Sequence, residues 1–156
     1  MNALRGVLGA SLTVIALAAM PGAASAQRLD LAVAPAAIAI PTGDPDLVPV
    51  VSSAPAAIEY RVRQNESDPW VLTVLASGDL VSGASTIAIS EVSWVAAPSP
   101  PFRNGTLSSS VAQTVAAGTG NVQRPSTGSI TFRLTNSWTY DAGIYTQSLL
   151  FTLSVP

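Results

Sequence analysis

Apolar and polar residues alternate with a period of two along most of this chain, a rhythm that suits strands with one face in a core. The clearest run closes the sequence: Tyr145, Gln147, Leu149, Phe151 and Leu153 alternate with Thr146, Ser148, Leu150, Thr152 and Ser154. Ile130, Phe132 and Leu134 alternate with Thr131, Arg133 and Thr135, and Tyr60 and Val62 alternate with Glu59, Arg61 and Arg63. Trp70 to Leu75 is apolar on both faces except at Thr73, as a strand with neighbours on either side should be. No window shows apolar residues at helical spacing with charged residues opposite. From these alternations the expected core is Tyr60, Val62, Trp70, Leu72, Val74, Trp94, Ile130, Phe132, Leu134, Leu149, Phe151 and Leu153.

Turn residues cut the chain into short pieces. Pro41 to Asp46, Gln64 to Pro69 and Asn104-Gly105 read as turns, and Pro98, Pro100 and Pro101 end strand pairing because proline cannot donate to a ladder. Leu80-Val81 reads as a short excursion between Gly78 and Gly83. Ile87 to Ile89 and Val92 to Val95 read as one bent strand or two short ones. Ala116 to Gly128, with Gly118, Gly120, Pro125 and Gly128, reads as the longest flexible loop. The expected fold is all-β, an immunoglobulin-like β-sandwich of about 7–9 short antiparallel strands. No internal repeat or second domain is visible.

The N-terminus has a different character. Arg5 precedes an apolar run from Val7 to Met20, Pro21-Gly22 breaks it, and Ala24-Ser25-Ala26 offers small residues for signal peptidase. Residues 1–26 are therefore expected to be a cleaved signal peptide, and 27–156 a single exported domain, extracellular or periplasmic. The run is too short to span a hydrocarbon core of about 30 Å as a helix, so no membrane span is expected.

Composition removes many functions. The chain has no His, Cys or Lys, so disulfides, thiolate or imidazole metal sites and Lys–Asn isopeptide crosslinks are excluded. Seven Arg face nine Asp and Glu, a balance that gives nucleic acid no cationic footprint. A Ser nucleophile has no His or Lys base, and no G-x-S-x-G elbow occurs. No enzyme and no cofactor are expected. Asp44, Asp46, Glu66, Asp68, Asp79 and Asp141 lack the regular spacing of a calcium loop and read as solvated turn acids.

Asp141-Ala142-Gly143-Ile144-Tyr145 is the sharpest motif. It matches the D-x-G-x-Y corner that leads into strand F of immunoglobulin-like sandwiches, where the tyrosine hydroxyl bonds back to the corner backbone. Antibody-type domains carry a cysteine two residues further on, and here that position is Gln147. If Tyr145 opens a strand F, the chain ends before a strand G, and the open edge needs a cover. Leu29, Leu31 and Val33 form a compact apolar face that is expected to fill that groove, within one molecule or by donation to another. Trp70 and Trp94 read as core anchors. Trp138 and Tyr140 sit in a turn-rich stretch where aromatic rings stack on sugars or fill a partner's pocket, and they are the expected partner contact.

Two resemblances follow from these residues. Trp70-Val71-Leu72, with Tyr145, Leu149 and Leu153 before Pro156, resembles the WxL type of bacterial surface domain, with Phe151 where that family has a second tryptophan. The resemblance implies a secreted β-sandwich held non-covalently at the cell wall. The Gly143-Ile144-Tyr145-Thr146 strand is also similar to the ends of spore-coat-protein-U-like and pilin-like domains, which usually carry cysteines. The expected function is a non-catalytic structural or adhesive module of the cell surface, with cell-wall glycan, another surface protein or a second copy as partner. The alternative is a pilus- or coat-like subunit that assembles by strand donation.

Overall fold

The computed structural model describes residues 8–18, 27–41, 43–65 and 67–155. Their chain order is β1 (Leu8–Ala18), β2 (Arg28–Ala34), β3 (Ala37–Ile40), β4 (Val50–Ser52), β5 (Ala56–Arg63) and β6 (Pro69–Ala76). The short strands β7 (Leu80–Ser82) and β8 (Ser85–Ile87) follow, then β9 (Val92–Ala97) and β10 (Gly105–Thr106). The long strands β11 (Gln113–Thr119), β12 (Val122–Thr135) and β13 (Gly143–Ser154) complete the chain. The fold is all-β, a sandwich of two sheets. One sheet runs β11-β6-β13-β1-β3 with β7 and β8 attached; the other runs β10-β9-β12-β5-β2 with β4 beside β12. Among the described residues the thirteen strands exceed the expected number because β1 and short stretches such as β3, β4, β7, β8 and β10 pair as well as the strongly alternating ones.

All twelve residues expected in the core are buried. β6 shows why: Trp70, Leu72, Val74 and Ala76 turn inward, while Val71, Thr73 and Leu75 on the other face stay half-buried between β11 and β13. An aromatic chain links the sheets. Tyr60 lies tilted against Trp70 with ring centroids 5.0 Å apart, and Phe102 meets Tyr60 edge-on at 5.9 Å. Phe102 is fully buried although it follows the proline run, because its N–H donates to Pro98 O at 3.1 Å and folds the segment back onto Ala116.

Two of the large rings lie flat over a glycine on the neighbouring strand. Trp70 pairs with Gly118 and Trp94 with Gly105, and a Cβ at either glycine would strike the ring. The two tryptophans differ in their polar ends. Trp94 Nε1–H donates to Arg103 O at 2.9 Å, whereas Trp70 Nε1–H is buried without a partner. Both Trp→Phe changes lose ring volume, but only Trp94→Phe strands a carbonyl. Trp94→Phe is therefore expected to cost about 1–2 kcal/mol more than Trp70→Phe in denaturant unfolding. Equal losses would show that the Arg103 bond contributes nothing.

Two expectations change, and one left open is decided. Residues 116–128 are not a loop: β11 and β12 meet at Gly120, whose φ of 74° lets the chain cross between sheets in one tight turn. Glycine and proline within this stretch serve packing and a bulge, and so mislead as breakers. Leu80-Val81 is not an excursion but half of the β7–β8 hairpin, which packs on β13 through Val81. Ile87 and Val92 lie in separate strands, divided by a 3-10 turn at Ile89–Glu91 whose first N–H donates to Asp79 Oδ1 at 2.9 Å.

Candidate functional site

The strand that completes the larger sheet comes from the opposite end of the chain. β1 lies between β13 and β3, parallel to β13 with Leu8 opposite Gly143 and Ala18 opposite Leu153, and antiparallel to β3 with Ala10 opposite Ile40. Every other pairing in both sheets is antiparallel among the described residues. Ala10 and Leu12 point into the core at 3% and 0% exposure, and Val14 packs against it. The same segment supports both a leader and a strand because its apolar run includes Leu12, Val14 and Ile15, which fit a pleat. The small residues Ala24 to Ala26 expected at the cleavage site lie outside the described residues.

β1 therefore takes the place expected for Leu29, Leu31 and Val33. Those residues are on β2, which pairs antiparallel with β5 at the edge of the opposite sheet: Leu29 faces Val62, Leu31 faces Tyr60 and Val33 faces Ile58. The reason is the short link. Pro35-Ala36 carries the chain directly from β2 into β3, which already lines the far side of the groove, so β2 cannot also reach β13. Leu29 is buried there and Leu31 and Val33 pack partly against the core.

The motif at Asp141 to Tyr145 forms the corner at one end of this groove. Tyr145 Oη–H donates to Asp141 O at 3.1 Å, and the ring is buried. Gly143 has an ordinary φ, and its role is close approach: a Cβ would collide with Ser82 Oγ of the β7–β8 hairpin. Asp141 Oδ2 accepts from Ser85 Oγ at 2.5 Å, tying the corner to the same hairpin. Where antibody-type domains have a cysteine, Gln147 Nε2 donates to Asp79 O at 2.6 Å and its Oε1 accepts from Ser77 Oγ. Tyr145→Phe keeps the ring and removes the bond, so a loss of about 1 kcal/mol is expected in thermal or denaturant unfolding. An unchanged midpoint would remove the corner bond from the account of stability.

Trp138 and Tyr140 separate in their roles. Trp138 is 56% exposed and its indole N–H donates to Asp46 Oδ1 at 2.9 Å, so the ring stands at the loop tip beside the exposed Leu47 and Val48. Tyr140 is half-buried against the core. Desolvation, and after it the charge of Glu91, raise its phenol pKa above the ordinary tyrosine value. A folded pKa above the unfolded one means that this contribution to stability is intact below the unfolded value and lost as pH climbs through the folded one. In an ultraviolet absorbance titration Tyr140 is expected to ionise late, and Glu91→Gln should advance it only partly because burial is the larger cause. A titration at the ordinary tyrosine value would refute the burial.

The acids do not converge. Among the described residues no three of Asp and Glu come together as a metal site. Asp44 Oδ1 accepts from Asp46 N and Asp68 Oδ2 from Asn65 Nδ2, each within its own turn, while Asp79 Oδ1 accepts from Ile89 N at the base of the β7–β8 hairpin. Glu66 lies outside the described residues. Among the described residues no helix is long and apolar enough to cross a membrane. Neither a scan against protein-family models nor a search of curated proteins finds a match. Sequence reasoning missed Ala10 and Leu12 as groove residues, because the leader pattern accounted for them already.

Proposed function

We propose that this protein is a non-catalytic structural subunit of the cell exterior, a pilus- or coat-like β-sandwich completed by a strand from a second copy. One observation carries the reading. The place between β13 and β3 is filled by Leu8–Ala18, the segment whose sequence reads as a leader, running parallel to β13. Without it the paired edges of β13 and β3 and the core beneath Leu12 lie open. The outer face of β1 ends in apolar side chains: Ile15 and Leu17 are 52% and 53% exposed, with Ile15 opposite Leu150 of β13. The leader-like sequence of residues 1–26 supports export and the loss of this segment. Residues 28–34 repeat the inward spacing of Ala10, Leu12 and Val14 with Leu29, Leu31 and Val33, which makes β2 of a neighbouring copy the matching donor.

The test uses residues 27–156 alone. Size-exclusion chromatography is expected to show a ladder of oligomers. A peptide of residues 8–18, made soluble by Ile15→Ser and Leu17→Ser on the outer face, should collapse the ladder to monomer, and the same peptide with Leu12→Asp should not. A monomer that melts at the temperature of the full chain and ignores the peptide would overturn the proposal.

A further inference from the structure

The start of β2, the end of β5 and the turn between β11 and β12 form a cleft of about 530 Å³. This is within the size range of small-ligand sites, roughly 300–1,000 Å³. Its composition departs from the rest of the chain. Gln27, Gln64, Asn65, Asn121 and Gln123 line it, five of the ten amide side chains in the whole sequence. The two charged residues of the lining, Arg63 and Arg124, are both exposed cations.

The backbone sets these groups in place. Between Val122, opposite Val62, and Ser126, opposite Tyr60, the β12–β5 ladder is broken, and Gln123 and Arg124 lie in that bulge. A bulge of this kind re-aims side chains that a regular strand would keep in the ladder. Arg63 stands directly opposite Arg28 on β2, an arrangement of like charges that is unfavourable unless an anion is shared between them or supplied nearby. Asp30 already pairs with Arg28 and lies 3.7 Å from Arg61, which leaves Arg63 without an ion pair among the described residues.

Gln64 adds an unmet acceptor beside the guanidiniums. Its Nε2 donates to Asp68 O at 2.6 Å and Gly120 O at 3.3 Å, so two carbonyls fix which end of the amide is nitrogen. Its Oε1 is buried with no donor. Sulfate presents acceptors alone and leaves that oxygen unpaired; a ligand hydroxyl that reaches it gives the missing hydrogen bond. The guanidiniums call for an acceptor that is charged and forked, which a carboxylate is. The remaining amides offer both donors and acceptors, as ring hydroxyls require.

We propose that this cleft, as formed when β2 pairs with β5 of its own chain, binds a carboxylate-bearing saccharide, a short stretch of uronic-acid polysaccharide. Isothermal titration of the full chain with tetragalacturonate is expected to give a Kd of about 1 mM or tighter. A neutral tetrasaccharide and inorganic phosphate should bind far more weakly. The double variant Arg63→Gln, Arg124→Gln, on exposed side chains, should lose about tenfold or more in affinity with its melting temperature unchanged. Arg133→Gln, exposed at the far end of β12, should bind as the parent does. If the double variant melts early, Gln123→Ala reads the same cleft from an exposed uncharged position and should weaken binding too. No heat of binding with the oligouronide, equal affinity for the neutral sugar or for phosphate, or full binding by the cleft variants would overturn the proposal.

Discussion

Leu12→Asp in the full-length chain is expected to expel β1 from the larger sheet and convert a monomer into higher oligomers. Leu12 is fully buried, and within the pairing it is flanked by Gln147 on β13 and Ile38 on β3. A carboxylate at that point meets no described cation, and an uncompensated buried charge costs about 3–5 kcal/mol. The strand has an escape that a core residue lacks: it can leave. The measured loss is therefore bounded by the docking free energy of β1, and the rest of the sandwich stays folded. Hydrogen exchange should rise on β13 and β3, which lose their shared partner, and stay low on β9 and β12 in the other sheet. Chromatography should show association through the opened edges. A variant that unfolds as a whole would mean that residues 8–18 belong to the cooperative core. One that remains monomeric with protected β13 amides would mean that the strand does not cover an accepting groove.

Phe132→Ala should have the opposite signature. Phe132 is fully buried on β12, directly opposite Trp94 on β9, and the strand is held on its other side by β4 and β5. No local rearrangement can remove it from the core. Its backbone is tied as well, since Phe132 N–H donates to Ser53 Oγ at 3.0 Å and Phe132 O accepts from Ser53 N–H at 2.9 Å. Loss of the ring leaves a cavity between the sheets, and such truncations cost about 3–5 kcal/mol. That is a large share of the stability of a domain this size, so the midpoint of denaturant unfolding should fall sharply while the transition stays single. Exchange should rise everywhere rather than on one edge. A loss below about 1 kcal/mol would place the ring outside the packed interior.

Strand existence and strand facing follow from the sequence because both are local. Successive Cβ atoms point to opposite faces, so the alternation at Tyr60, Phe132 and Leu149 states which side chains go inward before any partner is known. The Asp141-to-Tyr145 corner is legible for the same reason: its hydrogen bond spans only four residues. The shape of each tight turn is less secure, as residues 116–128 show. There glycine at 118 makes room for Trp70, a residue far away in sequence, and resembles a breaker only while that ring is out of view.

Partner choice is the part that the tertiary structure alone decides. Leu29, Leu31 and Val33 carry the same alternation whether they pair with β5 or with β13, and the two-residue link to β3 settles which edge they can reach. Residues 8–18 satisfy an export pattern by composition, and only the open place between β13 and β3 shows that they also satisfy a strand. The cleft at Arg63 and Arg124 could not be read from one stretch of sequence, because it assembles three segments around a bulge. Periodicity fixes the direction of a side chain, which costs nothing beyond its own residue. Pairing joins distant residues against the entropy of closing the chain between them, and competing edges differ only through the whole packed arrangement.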